Sequence, residues 1–354
     1  MNPLEKPRMP GFVYRNITFV VAVLLFISFF GLGSVLFKNF FSLQVFCNLL
    51  IDNSYLLIAA IGSTMVVIIG GIDLSVGAVI AFCNMSMSYM LTIMKMPLIP
   101  AIVIVLLIGT LFGMLHGWLV TFKGFQPFIA TLAGQFIARG ACYIITVDTI
   151  FVDNPFIVKA AIFKIRFLGS FISVGAALAV LMIILFQIIA ENTQFGRNIY
   201  AVGGNEQSAN LMGLPVKRTK FLTYTTSGFL SAVASLVFML YVLSATGTHG
   251  DGLHLDAVAS AVIGGALTSG GVGLITGTLF GVLTQGTIRT MITFQGTLSS
   301  WWAKIATALL LLMFILIQRA IVTGRERSHV SRKVEAVDPK AVDPKLISEG
   351  NYAQ

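Results

Sequence analysis

The chain has 354 residues, of which 56% are hydrophobic and 10% are charged, and its formal net charge is +9. Soluble proteins carry roughly 25% charged residues, so this composition excludes a soluble globular protein and predicts a polytopic membrane protein. The basic residues lie mainly between apolar runs, where they act as topology signals, and the net charge therefore does not indicate nucleic-acid binding. The three cysteines lie in or beside apolar segments without the spacing of a metal site, so no metal is expected.

Apolar runs of bilayer length follow one another between a short basic N-terminus, residues 1–16, and a polar C-terminal tail, residues 323–354. A spanning helix needs roughly 20 apolar residues, and about ten stretches approach this length. They are residues 17–37, 49–70, 74–93, 97–122, 128–147, 168–190, 221–243, an interrupted block at 257–294, and 301–322. We therefore predict an all-α transmembrane domain over residues 17–322, a loop at 148–167 and a disordered tail.

Charge asymmetry predicts the orientation of this domain. If the N-terminus is cytoplasmic, the inner side receives most of the basic residues, including Arg197, Lys217, Arg218 and Lys220. The outer side receives fewer, although three of them cluster at 159–166 against the trend. The positive-inside rule therefore predicts that both termini lie in the cytoplasm.

Two glycine-rich stretches, 70–77 and 264–271, interrupt the apolar pattern. A break in a helix cannot face lipid, because its free backbone groups would be unsatisfied, and discontinuous helices are common at transporter binding sites. Asp73 can orient a substrate, bind a cation or cap the helix predicted to begin at Leu74, and a cap or hinge is the interpretation we favour. The candidates for a translocation path or gate in these stretches are Gly70, Gly71, Asp73, Ser75, Gly264, Gly265 and Ser269.

Polar residues within the predicted spans are further candidates for the path. His116 is typical of a packed, hydrogen-bonded side chain, but it can also line the path. Arg139 and Arg289 lie within predicted spans, where a basic side chain costs roughly 2.5–3.5 kcal/mol. Each arginine must therefore face a polar cavity, have a partner or lie nearer to an interface.

Glycines recur every four residues at 109–117 and again at 273–281. Small residues at this spacing let two helix backbones approach closely. We expect both stripes to pack helices together within the chain rather than to line a pore.

The longest polar stretch between apolar runs is 191–220. Asn205 is a good helix N-cap and Gly213 a good C-terminal stop, so residues 206–212 are predicted to form a short helix. The two glycines before Asn205 are expected to bend the chain sharply into it. A helix this short is marginal alone in water, and it is either a docking helix for a partner protein or a capped connector.

No catalytic motif is present in the sequence. There is no GxxxxGK[ST] phosphate loop, no H-E-x-x-H and no G-x-S-x-G. We therefore expect a non-catalytic chain that does not itself carry out hydrolysis or phosphoryl transfer. If ATP drives transport, its hydrolysis occurs in another polypeptide.

Four strings in this order resemble the permease subunits of bacterial monosaccharide ABC importers of the ribose, xylose, arabinose and galactose branch. They are GGIDLSVGAVIAF (70–82), PFIATLAGQFIARG (127–140), FGRNIYAVGGNEQSANLMGLPV (195–216) and DAVASAVIGGALTSGGVG (256–273). Within this family, SANLMG (208–213) and FQGTLSSWWAKIA (294–306) are most similar to the galactofuranose importer permease.

The resemblance implies a ten-span permease of the inner membrane that works as a dimer with an identical or similar second permease. It also implies a periplasmic sugar-binding protein and a separate ATPase that uses ATP and Mg, so that this chain itself binds no cofactor. The family's cytoplasmic loop, which transmits ATPase motion, matches 195–213. The ATPase-coupling residues implied there are Gly196, Arg197, Gly203, Gly204, Asn205, Glu206, Ala209, Met212 and Gly213.

One departure and two alternatives remain at this stage. Many family members have Asn where His116 stands, so sugar specificity can differ if that position contacts the substrate. An ion-driven secondary carrier that uses Asp73 as its coupling carboxylate is the alternative function, although acidic residues within the predicted spans are scarce. A structural membrane scaffold is the third and weakest hypothesis.

Overall fold

The computed structural model describes residues 17–297, 299 and 301–316. The predicted cytoplasmic N-terminus and polar tail lie outside these residues. Contacts divide the chain into two units, Met1–Leu311 and Leu312–Gln354. Of the second unit the structure describes only residues 312–316, the last residues of a helix.

The described part of the chain is built almost entirely of α-helices. They are α1 (Ile17–Leu36), α2 (Leu43–Asp52), α3 (Ser54–Ile68), α4 (Val76–Ser88), α5 (Leu98–Phe122), α6 (Pro127–Ile145), α7 (Pro155–Ile162), α8 (Val174–Asn192), α9 (Gln194–Gly204), α10 (Glu206–Leu211), α11 (Val216–Val242), α12 (Leu253–Ile263), α13 (Ile275–Gln295) and α14 (Trp301–Leu316). A π-helical turn, Tyr89–Ile93, follows α4 directly. The strands are β1 (Ile150–Phe151), β2 (Lys164–Phe167), β3 (Ser170–Ser173) and β4 (Ser244–Ala245).

Six of these helices are long and apolar enough to cross a membrane: α1, α4 with its π-helical turn, α5, α6, α8 and α11. The pair α2 and α3 passes the same test together but is bent by 61°, which raises the number to seven. Two shorter apolar helices, α12 and α14, fall below the required length. Among the described residues the structure therefore supports six or seven spans, and the larger number of about ten stays a prediction.

The core is formed mainly by α3, α4 and α11. Nearly every side chain of α3 is buried, as expected for a helix that is apolar on all sides. By contrast, α1 and α5 expose large apolar side chains such as Val35 and Ile99. Exposed apolar surface of this extent suits contact with lipid rather than water.

Both glycine stripes pack helices together, as the sequence predicts. On α5, a Cβ atom added to Gly109 would lie 2.7 Å from the carbonyl oxygen of Gly228 on α11. On α13, Gly277 and Gly281 contact the backbone of α12 in the same way. Any larger side chain at these positions would push the two backbones apart.

The predicted loop at 148–167 is wrong in part. It contains β1, α7 and β2, and α7 begins where the Asn154 side chain accepts a hydrogen bond from the N–H of Phe156 at 3.0 Å. Pro155 occupies the first turn of α7, where its missing N–H costs nothing. A proline that the sequence indicates as a helix breaker is therefore a helix starter here.

The short strands pair at two places. β1 pairs with β4 in an antiparallel register, with Ile150 opposite Ala245, and β2 pairs with β3 as a hairpin. The first pairing joins the segment after α6 to the segment after α11. The C-terminal ends of these two helices therefore lie at the same end of the fold.

Candidate functional site

The short helix predicted in the long polar stretch is present as α10. The side chain of Asn205 accepts a hydrogen bond from the N–H of Ser208 at 2.8 Å, as an N-cap does. Gly213 has φ +77°, the left-handed conformation that favours glycine after a helix end. The helix ends at Leu211, one residue earlier than predicted. Its local structure is therefore confirmed.

The expected sharp bend at Gly203 and Gly204 is wrong, because both glycines are the last residues of α9. Thr193 caps this helix, with its Oγ1 accepting from the N–H of Gly196 at 3.1 Å. The buried residues Ile199 and Val202 follow at helical spacing. Thr193 and this spacing are the signal that sequence reasoning missed.

The end of α9 packs against the last residue of α3, just before the first glycine-rich stretch, and against the second stretch. The N–H of Gly271 donates a hydrogen bond to the carbonyl oxygen of Ile68 at 2.7 Å. A Cβ atom on Gly203 would contact that oxygen and lie 2.8 Å from the Gly271 nitrogen. A Cβ atom on Gly270 would lie 2.6 Å from the Gly203 oxygen and 3.2 Å from the Cα of Gly70. We call these four glycines, with Ile68, the glycine junction.

Side chains of α8 and α9 hold the second stretch at the junction. The Tyr200 hydroxyl donates to the carbonyl oxygen of Gly273 at 3.0 Å, and Gln187 Oε1 accepts from the N–H of Thr276 at 2.9 Å. Burial, with a smaller contribution from Glu191, raises the pKa of Tyr200 to about 12. The hydroxyl therefore stays protonated and remains a donor at neutral pH.

A cavity of about 720 Å³ lies beside the junction and α10. We call it the junction cavity. It brings together residues predicted for two different roles, the coupling loop and the path. The residues predicted for one of these roles that line the cavity are Gly70, Gly71, Gly203, Gly204, Asn205, Glu206 and Ser269. Glu206, also in the lining, pairs with Lys220 at 2.6 Å, which ties α10 to the start of α11.

Asp73 lies in the first stretch but is only 2% exposed. Its Oδ1 accepts from the Ser75 N–H at 3.0 Å and from the Ser75 hydroxyl at 2.6 Å, and its Oδ2 accepts from Ser227 of α11 at 2.7 Å. The following helix begins at Val76 rather than at Leu74. Both carboxylate oxygens are thus engaged, and this geometry is that of an anchor between the first stretch and α11.

His116 extends the same polar cluster to α5. Its Nδ1 lies 3.3 Å from the Ser75 hydroxyl, and its ring lies directly against Gly134 of α6, where a side chain would clash. Its Nε2 is buried and has no hydrogen-bond partner among the described residues. Neither His116 nor Asp73 is part of the junction cavity lining that the structure describes.

The remaining candidates hold other parts of the fold together. Arg139 donates to the carbonyl oxygens of Gly247 and His249 at 2.5 and 2.6 Å, in the loop before α12. Gly264 packs against Gly277, and Gly265 packs against Thr18 of α1. Arg289, the other arginine within a predicted span, forms an ion pair with Asp256 at 2.6 Å. This partner offsets part of the free-energy cost of placing a basic side chain in the membrane.

Comparisons with known proteins agree with this architecture. Residues 45–317 match the family model described as branched-chain amino acid transport system / permease component. No solved structure matches. One similar curated protein is the inner membrane ABC transporter permease YjfF from Escherichia coli strain K12, which is 40% identical over 326 residues, covering 90% of this chain and 98% of the relative. The fructose import permease FruG from Bifidobacterium longum is 37% identical over 318 residues, covering 85% of this chain and 90% of the relative. The ribose import permease RbsC from Haemophilus influenzae is 34% identical over 313 residues, covering 86% of this chain and 93% of the relative.

The matched region contains both glycine-rich stretches, α9 and α10. The three relatives are each covered over at least 90% of their own length, so the similarity extends along the membrane region and is not confined to one motif. This chain therefore belongs to the family of the branched-chain amino acid transport system permease components, as a multi-pass membrane transport subunit.

Proposed function

We propose that this chain is one permease of an ATP-driven importer that moves a monosaccharide across the bacterial inner membrane. The names of two relatives, a fructose and a ribose import permease, support a sugar as the substrate. Galactofuranose is the sugar we favour, on the strings at 208–213 and 294–306. The partners are a separate ABC ATPase that binds ATP and Mg, a second permease and a periplasmic sugar-binding protein. Both termini lie in the cytoplasm.

The observation that carries the proposal is the contact of α9 with the end of α3, which precedes the first glycine-rich stretch, and with the second stretch itself. Gly203 touches Ile68 at the end of α3 and Gly271 in the segment before α13. A force applied to α9 and α10 therefore acts on two membrane helices through backbone contacts, which cannot yield as flexible side chains do. We propose that the ATPase moves this loop and that the helices tilt in response, so that the path opens alternately to each side.

The tip of α10 is the surface we assign to the ATPase. Leu211 is 88% exposed and Met212 is 68% exposed, whereas Ala209 is fully buried against the rest of the chain. Two adjacent large apolar side chains on an otherwise polar loop suit a partner's apolar groove. This arrangement favours the docking helix over the capped connector.

The proposal also extends the span count to ten. In this arrangement α12, α13 and α14 are further membrane segments, and both glycine-rich stretches lie within the membrane domain. Irregular backbone at that depth is tolerated when it is covered by protein, and the glycine junction supplies such cover for Gly270 and Gly271.

Reconstitution tests the proposal directly. Vesicles containing this permease, its candidate partner permease and the ATPase, supplied with the binding protein, should take up a monosaccharide only when ATP is present inside. Radiolabelled D-galactose, D-ribose and D-fructose are the probes, and a methyl galactofuranoside, whose ring is locked in the furanose form, is the competitor. Uphill uptake by this chain alone would contradict the proposal.

A branched-chain amino acid is the second candidate substrate, because the matching family model carries that description. Radiolabelled leucine in the same vesicles separates the two, since a sugar permease should not carry it. The ion-coupled carrier is disfavoured by Asp73, both of whose oxygens already accept hydrogen bonds. Loss of uptake on adding an uncoupler at constant ATP would restore that alternative.

A further inference from the structure

A second polar cavity, of about 400 Å³, lies far from the glycine junction. We call it the far-end cavity. Its lining includes Tyr55 at the start of α3 and Arg289 near the end of α13. The opposite ends of these two helices, Ile68 and Ile275, lie at or beside the junction. Thirteen or fourteen helical residues span roughly 20 Å, so the cavity opens in the outer part of the membrane domain if the junction is cytoplasmic.

The lining of the far-end cavity is richer in polar groups than a membrane core requires. Asn48 and Asp52 come from α2, Asn53 from the 61° bend before α3, and Arg289 from α13. Charged side chains inside a membrane domain are costly and usually mark a substrate or ion pathway. Asp52 and Asn48 are both exposed to the cavity rather than packed away.

Several hydrogen-bonding groups in this cavity are incompletely used. Asn48 Oδ1 accepts from Gln44 at 2.8 Å, which leaves the Asn48 amide N–H groups without a partner among the described residues. Asp52 has one long contact, 3.5 Å from its Oδ1 to the Tyr241 hydroxyl. Arg289 uses one nitrogen in its ion pair with Asp256. Hydrogen-bond donors and acceptors from three helices, α2, α11 and α13, therefore line the same cavity.

Aromatic faces complete the wall. The rings of Tyr55 and Tyr241 lie 5.7 Å apart between centroids and are tilted by 40°, and both line the cavity. A few polar groups arranged around aromatic surface are typical of small-molecule sites, whose volumes run from about 300 to 1,000 Å³. A sugar offers hydroxyls to the polar groups and its C–H face to the tyrosines.

We propose that the far-end cavity is where the permease receives a monosaccharide, with Asp52, Asn48 and Arg289 hydrogen-bonding its hydroxyls and Tyr241 lying against its ring. This inference rests on the proposed function. It adds the residues that contact the substrate on the outer side, which the coupling loop does not contain.

The test is uptake by the complete importer in vesicles, measured for D-galactose, D-ribose and D-fructose in parallel. Asp52→Asn and Asn48→Ala should each lower uptake of the preferred sugar about tenfold, the equivalent of one lost hydrogen bond of about 1.4 kcal/mol. They should also change the ratio of uptake between sugars, whereas a folding defect lowers all sugars alike. Asp153→Asn, at an exposed position paired with Lys95, is the matched control and should leave the ratio unchanged.

A second measurement reads occupancy directly. Thr290→Cys places a thiol in the far-end cavity, and the three native cysteines are buried and silent. A membrane-impermeant thiol reagent should label this variant from outside, and the transported sugar should slow the labelling, whereas an exposed Asp148→Cys control should label at the same rate with or without sugar.

The outcomes separate the two claims. If the native importer carries a monosaccharide but the variants keep both rate and ratio, and sugar gives no protection, the inference fails alone. If the native importer carries leucine and none of the sugars, the proposed function fails and the inference fails with it.

Discussion

The backbone N–H of Gly271 donates a 2.7 Å hydrogen bond to the carbonyl oxygen of Ile68, and the last turn of α9 closes over this bond. Ile68 ends the first helix before one glycine-rich stretch, and Gly271 lies in the other. One hydrogen bond thus joins the end of the helix before the first stretch to the second stretch, next to the loop that we assign to the ATPase.

The first prediction concerns Gly203. In Gly203→Ala the new methyl group would meet the Ile68 oxygen and the Gly271 nitrogen, and overpacking of this kind costs about 1–3 kcal/mol. We expect ATP-driven uptake to fall about tenfold or more in reconstituted vesicles. Gly204→Ala is the matched control, because a Cβ atom there meets nothing within 4 Å. Equal uptake by the two variants would contradict the junction's role.

The second prediction concerns the apolar tip of α10. Replacing Leu211 and Met212 with aspartate should abolish co-purification of the ATPase, because two charges cannot enter an apolar groove without a large desolvation cost. Val147→Asp serves as the control, since Val147 is also exposed, by 74%, but follows the far end of α6. A double variant that still retains the ATPase would show that the contact lies elsewhere.

The third prediction separates anchoring from ion coupling at Asp73. In Asp73→Asn the amide oxygen can still accept from Ser75 and the amide nitrogen can donate to the Ser227 oxygen, so ATP-driven uptake should persist. Asp73→Ala removes the shared acceptor, which leaves the Ser227 hydroxyl unpaired and the Ser75 hydroxyl with only its His116 contact, and should lower the free energy of unfolding by about 1–3 kcal/mol. Thermal unfolding and uptake of both variants provide the measurements. Complete loss of uptake in a well-folded Asn variant would favour the ion-coupled carrier.

The fourth prediction concerns pH and His249, in the loop before α12. Burial, followed by the nearby Arg139 guanidinium, lowers the pKa of His249 below its ordinary value of 6.5. The folded state therefore prefers the neutral imidazole. Its contribution to stability is fully present above about pH 6.5 and is lost as the pH falls through the lower folded-state value.

Unfolding temperatures of the purified protein should accordingly drop as the pH is lowered from about 7 to about 5. His249→Gln cannot take up the proton and should show a shallower decrease. An identical pH dependence in the two proteins would assign the effect to other groups.

Local features of the sequence were predicted well. The helix α10 was predicted correctly because a cap acts within three residues, as between Asn205 and Ser208. A glycine just after a helix, such as Gly213, also indicates a left-handed turn that ends it. The glycine stripes were interpreted correctly for a similar reason, since small residues on one helix face serve close packing. By contrast, α9 was missed because the polar residues around Thr193 outweighed the apolar spacing that follows.

The sequence therefore determined the class of the protein, the apolar segments, the caps of α10 and the resemblance to a permease family. Composition, helical spacing and capping act over a few residues, so they can be read along the chain. Only the tertiary structure decided that Gly203 meets Ile68 and Gly271, that Asp73 anchors to Ser227, and that Asn48, Asp52, Tyr241 and Arg289 share one cavity. These contacts join residues that are far apart in the chain. They depend on how the helices pack against one another, and no local sequence pattern specifies that packing.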